Sequence, residues 1–231
     1  SGVGSGFNAG NLCCGAKMMS VVETLFKPTH AGGPATPLLA KSWELDSTNS
    51  PPQYVDVTIE SGIMFHGGYG ELTADDLVWN INDTNPNLSE TLGTGNISIT
   101  DGSGTWAGFL GANATEKTGD HSVRINWESF DPRWDTWFFG QDGLGAGIVS
   151  KNAYDTEGEE WNQDQLIGTG PFEMTSWQRG DRAVFTAVGN HWRQTPEVTS
   201  ITRIAVPDET VRLAQLATGD ADIADVSISN V

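Results

Sequence analysis

Basic residues are scarce in this chain. Among 231 residues, Lys and Arg total 12 and Asp and Glu total 30, a formal charge of −18. A surface that acidic repels nucleic acid and anionic membrane, and neither is expected as a partner. It also suits salty surroundings. Cysteine is nearly absent: the two present, Cys13 and Cys14, are adjacent. Neighbouring cysteines bridge only with strain, and two thiols alone do not complete a metal site, so they read as small side chains. No disulfide framework follows from them. No apolar run reaches the 18 residues of a membrane-spanning helix, and no signal peptide is visible; Ser1 to Gly6 reads as a trimmed end. The sequence also has no GxSxG, no HExxH, no Walker loop and no Cys/His pair at motif spacing. Its four histidines are widely separated. Cofactor and metal are therefore not expected. Paired carboxylates brought together by a fold leave a hydrolase such as a glycosidase open.

Glycine, at 28 residues, and tryptophan, at 9, are plentiful. The first indicates loops and tight turns, the second large buried anchors or an aromatic-lined cleft. Residues 1 to 16 read as loop. Met18, Val21, Val22 and Leu25 fall at helical spacing and predict a short helix ended by Pro28. Val55, Val57 and Ile59 alternate with polar neighbours, as do Val123, Ile125 and Trp127; each run predicts a half-buried strand. Thr73 and Asp76 form a capping box for a helix burying Leu77, Val78 and Ile81. His66, in the turn before it, has no second metal ligand at a suitable spacing and reads as structural.

Residues 84–119 are polar and irregular, with Ile97 and Ile99 hinting at a strand. Asp131-Pro132 opens a helical turn carrying Trp134, Trp137 and Phe138 on one face. That face is either packed or the wall of a cleft, with Arg133 at its rim able to fork a ligand carboxylate. The runs 172–177 and 183–188 predict a hairpin turning at 178–181, and Ser200 to Val206 a further strand. Asp208 caps a helix expected to bury Leu213, Leu216 and Ala217, stopped by Gly219. We expect hairpin and strand to share one sheet with this helix packed on it. Asp220, Asp222 and Asp225 read as a solvated acidic cluster.

Between these elements lies Leu166-Ile167-Gly168-Thr169-Gly170-Pro171-Phe172, a tight turn whose glycines open conformations closed to other residues. It keeps company with Leu39-Ala40-Lys41-Ser42-Trp43-Glu44, Met64-Phe65-His66-Gly67-Gly68, Leu72-Thr73-Ala74-Asp75-Asp76-Leu77, Asn190-His191-Trp192 and Leu216-Ala217-Thr218-Gly219-Asp220-Ala221-Asp222-Ile223. In that order the set resembles the family 5 solute-binding proteins of bacterial ABC importers, the oligopeptide, dipeptide and nickel binding group. The resemblance runs from about residue 20 to 226. Glu60-Ser61 departs from it, since members carry a basic residue after that strand.

The resemblance implies a mixed α/β (α+β) fold, the first lobe of a periplasmic-binding-protein type II architecture. Residues 1–40 plus 166–231 would form its core subdomain and 41–165 an inserted one, with a second lobe outside this chain. It implies a receptor, not an enzyme, that holds a peptide or other small solute between lobes and delivers it to a permease with its ATPase. A sensory module on the same fold is a further possibility. It implies a periplasmic or extracellular location, with a lipid anchor in a full-length protein possible. By analogy Asn11, Leu12, Cys13 and Cys14 lie in a loop reaching the cleft, and Arg133, Trp134 and Trp137 could line it. A sheet edge unpaired in a single lobe offers a route to a homodimer.

Overall fold

The structure, a computed structural model, describes residues 21–27, 35–84, 109–140, 147–162, 165–178 and 180–227. It is a mixed α/β fold built on two main antiparallel sheets and one two-stranded pair. The larger sheet joins β3 (Ala40–Leu45), β4 (Tyr54–Ile59), β5 (Thr115–Gly119) and β6 (Ser122–Asn126) in the order β3-β4-β6-β5. The alternation in sequence becomes alternation in burial: Val55, Val57, Ile59, Val123 and Ile125 are all buried, and Val55 faces Ile125 across the ladder as Val57 faces Val123. Burying a Val or Ile side chain contributes about 1.5–3 kcal/mol. On the other face Arg124 grips Asp56 with two hydrogen bonds, and its guanidinium lies 3.8 Å from the centre of the Tyr54 ring.

Helix α1 (Ala74–Thr84) lies against β5 and β6 with Leu77 and Ile81 fully buried. Its predicted cap is present: the Thr73 N–H and hydroxyl both donate to Asp76 Oδ2, at 3.0 and 3.1 Å. Asp76 Oδ1 reaches further and accepts from the Lys151 N–H at 3.0 Å. Asn80 donates to the Val149 carbonyl and accepts from its N–H. The helix is thereby fastened to the start of α2 (Lys151–Glu157), which Ser150 caps and the four-residue α3 (Glu159–Asn162) follows. Burial pushes the Asp76 carboxyl up, against the pull of its hydrogen bonds.

The smaller sheet holds β7 (Phe172–Gln178), β8 (Arg182–Ala187) and β9 (Ser200–Ile204) in that order. Hairpin and strand do share one sheet, as expected. Phe172, Ala183 and Phe185 bury one face against Val21, Val22, Val149 and Leu166. Helix α4 (Glu209–Thr218) has the expected caps: Asp208 accepts from the Thr210 and Val211 N–H groups, and Gly219 sits in the left-handed region at φ 79°. Its packing differs from expectation. No residue of α4 is buried; Leu213 is half-buried, Ala217 is exposed and Leu216 is 40% exposed. Capping is local and was legible, but burial needs an apposed surface.

A second correction concerns Val21 to Leu25. This stretch is extended, not helical. Val21, Glu23, Thr24 and Leu25 offer their carbonyls to Gly170, Ile148, Leu39 and Leu38, and Phe26-Lys27 (β1) pairs with Thr36-Pro37 (β2). Every residue from Val21 to Phe26 is buried, so Val21, Val22 and Leu25 imitated one helix face within a run buried on all sides. The strand suggested by Ile97 and Ile99 lies outside the described residues.

Candidate functional site: the junction at Gly168-Thr169-Gly170

The turn following Leu166 is where the chain's distant segments meet. Gly168 is placed by close approach: a Cβ built there would stand 2.1 Å from the Val21 carbonyl oxygen. Neither Gly168 nor Gly170 has a positive φ, so the glycines serve proximity and not a left-handed turn. The Gly170 N–H donates to the Val21 carbonyl at 2.8 Å, the His66 N–H to the Gly168 carbonyl at 2.9 Å, and the Ser150 N–H to the Ile167 carbonyl at 3.0 Å. One turn thus ties the segments 21–23, 66–68 and 148–150 together.

Side chains complete the junction. Glu23 is 1% exposed. Its Oε2 accepts from Thr169 Oγ1 at 3.0 Å and Trp192 Nε1 at 2.9 Å, and its Oε1 from Arg193 Nη2 at 2.7 Å. Burial pushes the Glu23 carboxyl up, but the nearby His191 and the hydrogen bonds from Arg193 and Trp192 outweigh it and hold the group below its usual range. His191 Nε2 lies 3.0 Å from the Thr169 carbonyl and 3.7 Å from Glu23 Oε2, so the carbonyl is its nearer partner. His66 Nε2 lies 2.7 Å from the Gly170 carbonyl. A buried carboxylate held by three donors on two oxygens is an anchor. Among the described residues no group of three or more His, Cys, Asp and Glu could hold a metal ion.

The residues singled out for ligand contact fall in other places. Trp134 is 4% exposed and packs edge-on against Phe26 at 5.3 Å, inside the core. It opens a single π-helical turn, Trp134–Phe138. Arg133 is exposed at the start of that turn and forks Asp131 through Nε at 3.0 Å and Nη2 at 2.6 Å. The Trp137 side chain and Asn11, Leu12, Cys13 and Cys14 lie outside the described residues. Sequence reasoning missed Glu23 and Arg193. The available signal was a lone acid inside the run Val21-Val22-Glu23-Thr24-Leu25-Phe26. An acid in such a run is buried with partners or is misread as surface.

The two main sheets and this junction belong to a periplasmic-binding-protein type II fold. The dipeptide-binding protein of Pseudoalteromonas sp. SM9913, solved with Met-Leu, shares it at a TM-score of 0.79 and 16% identity, over 99% of this chain and 46% of that one. The oligopeptide-binding protein AppA of Bacillus subtilis, solved with a nonapeptide, shares it at a TM-score of 0.70 and 24% identity, over 89% of this chain and 38% of that one.

The chain belongs to the bacterial extracellular solute-binding proteins, family 5 Middle, whose pattern matches residues 35–231. AppA of Bacillus subtilis (strain 168) is 27% identical over 182 residues, covering 74% of this chain and 30% of AppA. The dipeptide-binding protein of Escherichia coli (strain K12) is 28% identical over 82 residues, covering 34% of this chain and 15% of that protein. The chain spans less than half the length of each of these relatives. The family and these relatives are binding proteins. No helix among the described residues is long and apolar enough to cross a membrane.

Proposed function

We propose that this chain is the first-lobe part of an ABC importer's receptor, one that holds a peptide or another small solute in a cleft between two lobes and hands it to a permease with its ATPase. The observation that carries the reading is the junction: motifs scattered from Glu23 to Arg193 meet on one turn inside the segment that the family pattern matches. Relatives named for oligopeptide and dipeptide binding supply the ligand class. Such sites work by apolar walls and a few placed polar groups. The location is periplasmic or extracellular, with a lipid anchor in a full-length form.

On this reading Asn11, Leu12, Cys13 and Cys14 enter the cleft, and Arg133 can exchange Asp131 for a ligand carboxylate. Trp134 supports Arg133 from the core. Residues 1–40 plus 166–231 make the core subdomain and 41–165 the insert. The two apolar clusters, one on each sheet, favour that division, although Leu25, Phe26 and Leu39 pack with the larger sheet. Strand β9, an outer strand of the smaller sheet, offers an edge through which two copies could pair.

Calorimetry of this chain and of a full-length form against one peptide pool tests the proposal. The full-length form should bind and retain peptide. Losing on the order of 150 Å² of apolar burial, at about 25 cal/mol per Å², costs this chain roughly 4 kcal/mol. That is about a thousandfold in Kd. Equal submicromolar affinity in both would place the site wholly within residues 1–231. Peptide cleavage with no retained ligand would favour the hydrolase reading.

A further inference from the structure

Two histidines hold consecutive carbonyls of the junction turn. His66 Nε2 meets the Gly170 carbonyl and His191 Nε2 meets the Thr169 carbonyl, at 2.7 and 3.0 Å. A carbonyl only accepts, so both Nε2 atoms carry hydrogen. In a neutral ring the opposite nitrogen carries none. His191 Nδ1 accepts from the Gln194 N–H at 3.2 Å and the Arg193 N–H at 3.4 Å. His66 Nδ1 is buried with no hydrogen-bond partner among the described residues.

A proton added to His66 Nδ1 would create a buried cation whose new N–H has nothing to bond. The charged and titratable groups facing that ring are Glu173, His191 and Glu23. Glu23 is already engaged by Arg193, Trp192 and Thr169. Burial therefore prevails and keeps His66 below the usual histidine range, despite the Gly170 carbonyl and the two acids. His191 faces Glu23 at 3.7 Å, with Arg193 bonded to that same carboxylate.

We propose that His66 and His191 form an acid-released latch: through Nε2 they pin the 168–170 turn against Val21–Glu23, and protonation of His66 on Nδ1 lets the turn go. The sign follows from linkage. A histidine that the fold prefers neutral stabilises it fully above about pH 6.5, and that support is lost as pH falls below this value. Glu23, held below its usual range, stays ionised through the same window, so its bonds do not fail first. The latch concerns the turn itself and does not depend on which ligand the protein takes.

Amide hydrogen exchange from pH 7.5 to 5, corrected for intrinsic rates, tests the latch in the whole chain. The reporters are the Gly170 and His66 amides, which bond to Val21 and Gly168. Their protection should fall about tenfold per unit of pH once His66 begins to titrate, while amides of β4 and β6 keep theirs. His66→Gln keeps an N–H donor without a titrating ring, and its Gly170 protection should stay level over that range. Constant protection in the wild type, or an equal fall in His66→Gln, would overturn the latch. Should His66→Gln fail to fold, ring ¹⁵N shifts of the wild type decide. The His66 ring should show the Nε2–H tautomer at pH 7; a His66 that takes its second proton with Gly170 protection unchanged refutes the proposal.

Discussion

Helices α1 and α4 carry the same local instructions and end in different environments. Each is capped by an aspartate, Asp76 in one and Asp208 in the other, and they are 11 and 10 residues long. Yet Leu77 and Ile81 of α1 are fully buried, while α4 buries nothing and leaves Val211 47% and Leu216 40% exposed. The difference lies in what each helix meets. Asp76 and Asn80 bond to the backbone of Lys151 and Val149, which holds α1 down over β5 and β6. Helix α4 is held chiefly by Arg212, which donates to the carbonyls of Val206, Pro207 and Asp225. Caps and periodicity make a helix; only an apposed surface turns its apolar face into stability.

The sharpest way to break the comparison is to disrupt the junction that both sheets share. Gly168→Ala puts a Cβ against backbone atoms of Val21 and Val22, which cannot swing aside. Overpacking against fixed backbone should cost about 3 kcal/mol or more. Urea unfolding should show it, and an unchanged midpoint would mean the segment 21–22 moves freely from the turn.

Parallel truncations of the two helices come next. Leu77→Ala removes a fully buried side chain and should cost about 2 to 5 kcal/mol. Leu216→Ala, on the open helix, should stay within about 0.5 kcal/mol. Comparable losses would show that α4 is covered in solution. Asp76→Ala should cost about 2 kcal/mol, since it strips acceptors from Thr73 and Lys151 together. The same loss from Asp208→Ala would erase the contrast between the caps, because Asp208 is exposed and serves α4 alone.

Two smaller effects complete the series. Glu23 contributes stability above about pH 4.5 that is lost as pH falls through its lowered folded value. Glu23→Gln should flatten the acid limb of a stability-versus-pH curve below pH 5, and an unaltered limb would assign it to other carboxylates. Ile204, 54% exposed at the end of β9, tests pairing through that strand. Ile204→Lys should leave stability within about 0.5 kcal/mol and abolish any concentration-dependent dimer seen by sedimentation.

What the sequence determined by itself was local. The alternation of Val55, Val57 and Ile59, the Thr73–Asp76 box, the Asp208 and Gly219 caps and the hairpin around Gly180 were legible because each signal and its consequence lie within a few residues. The order of motifs around Gly168-Thr169-Gly170 carried the family as well. Tertiary structure alone decided the rest. Val21 to Leu25 has helical spacing, but its carbonyls bond to Gly170, Ile148, Leu39 and Leu38, none of them within reach of a helical turn along the chain. Trp134 could have walled a cleft, and packing on Phe26 put it in the core. Glu23 drew no notice in sequence because its partners, Thr169, Trp192 and Arg193, lie 146, 169 and 170 residues away along the chain. A buried charge is made tolerable by donors that the fold delivers, and no local pattern records them.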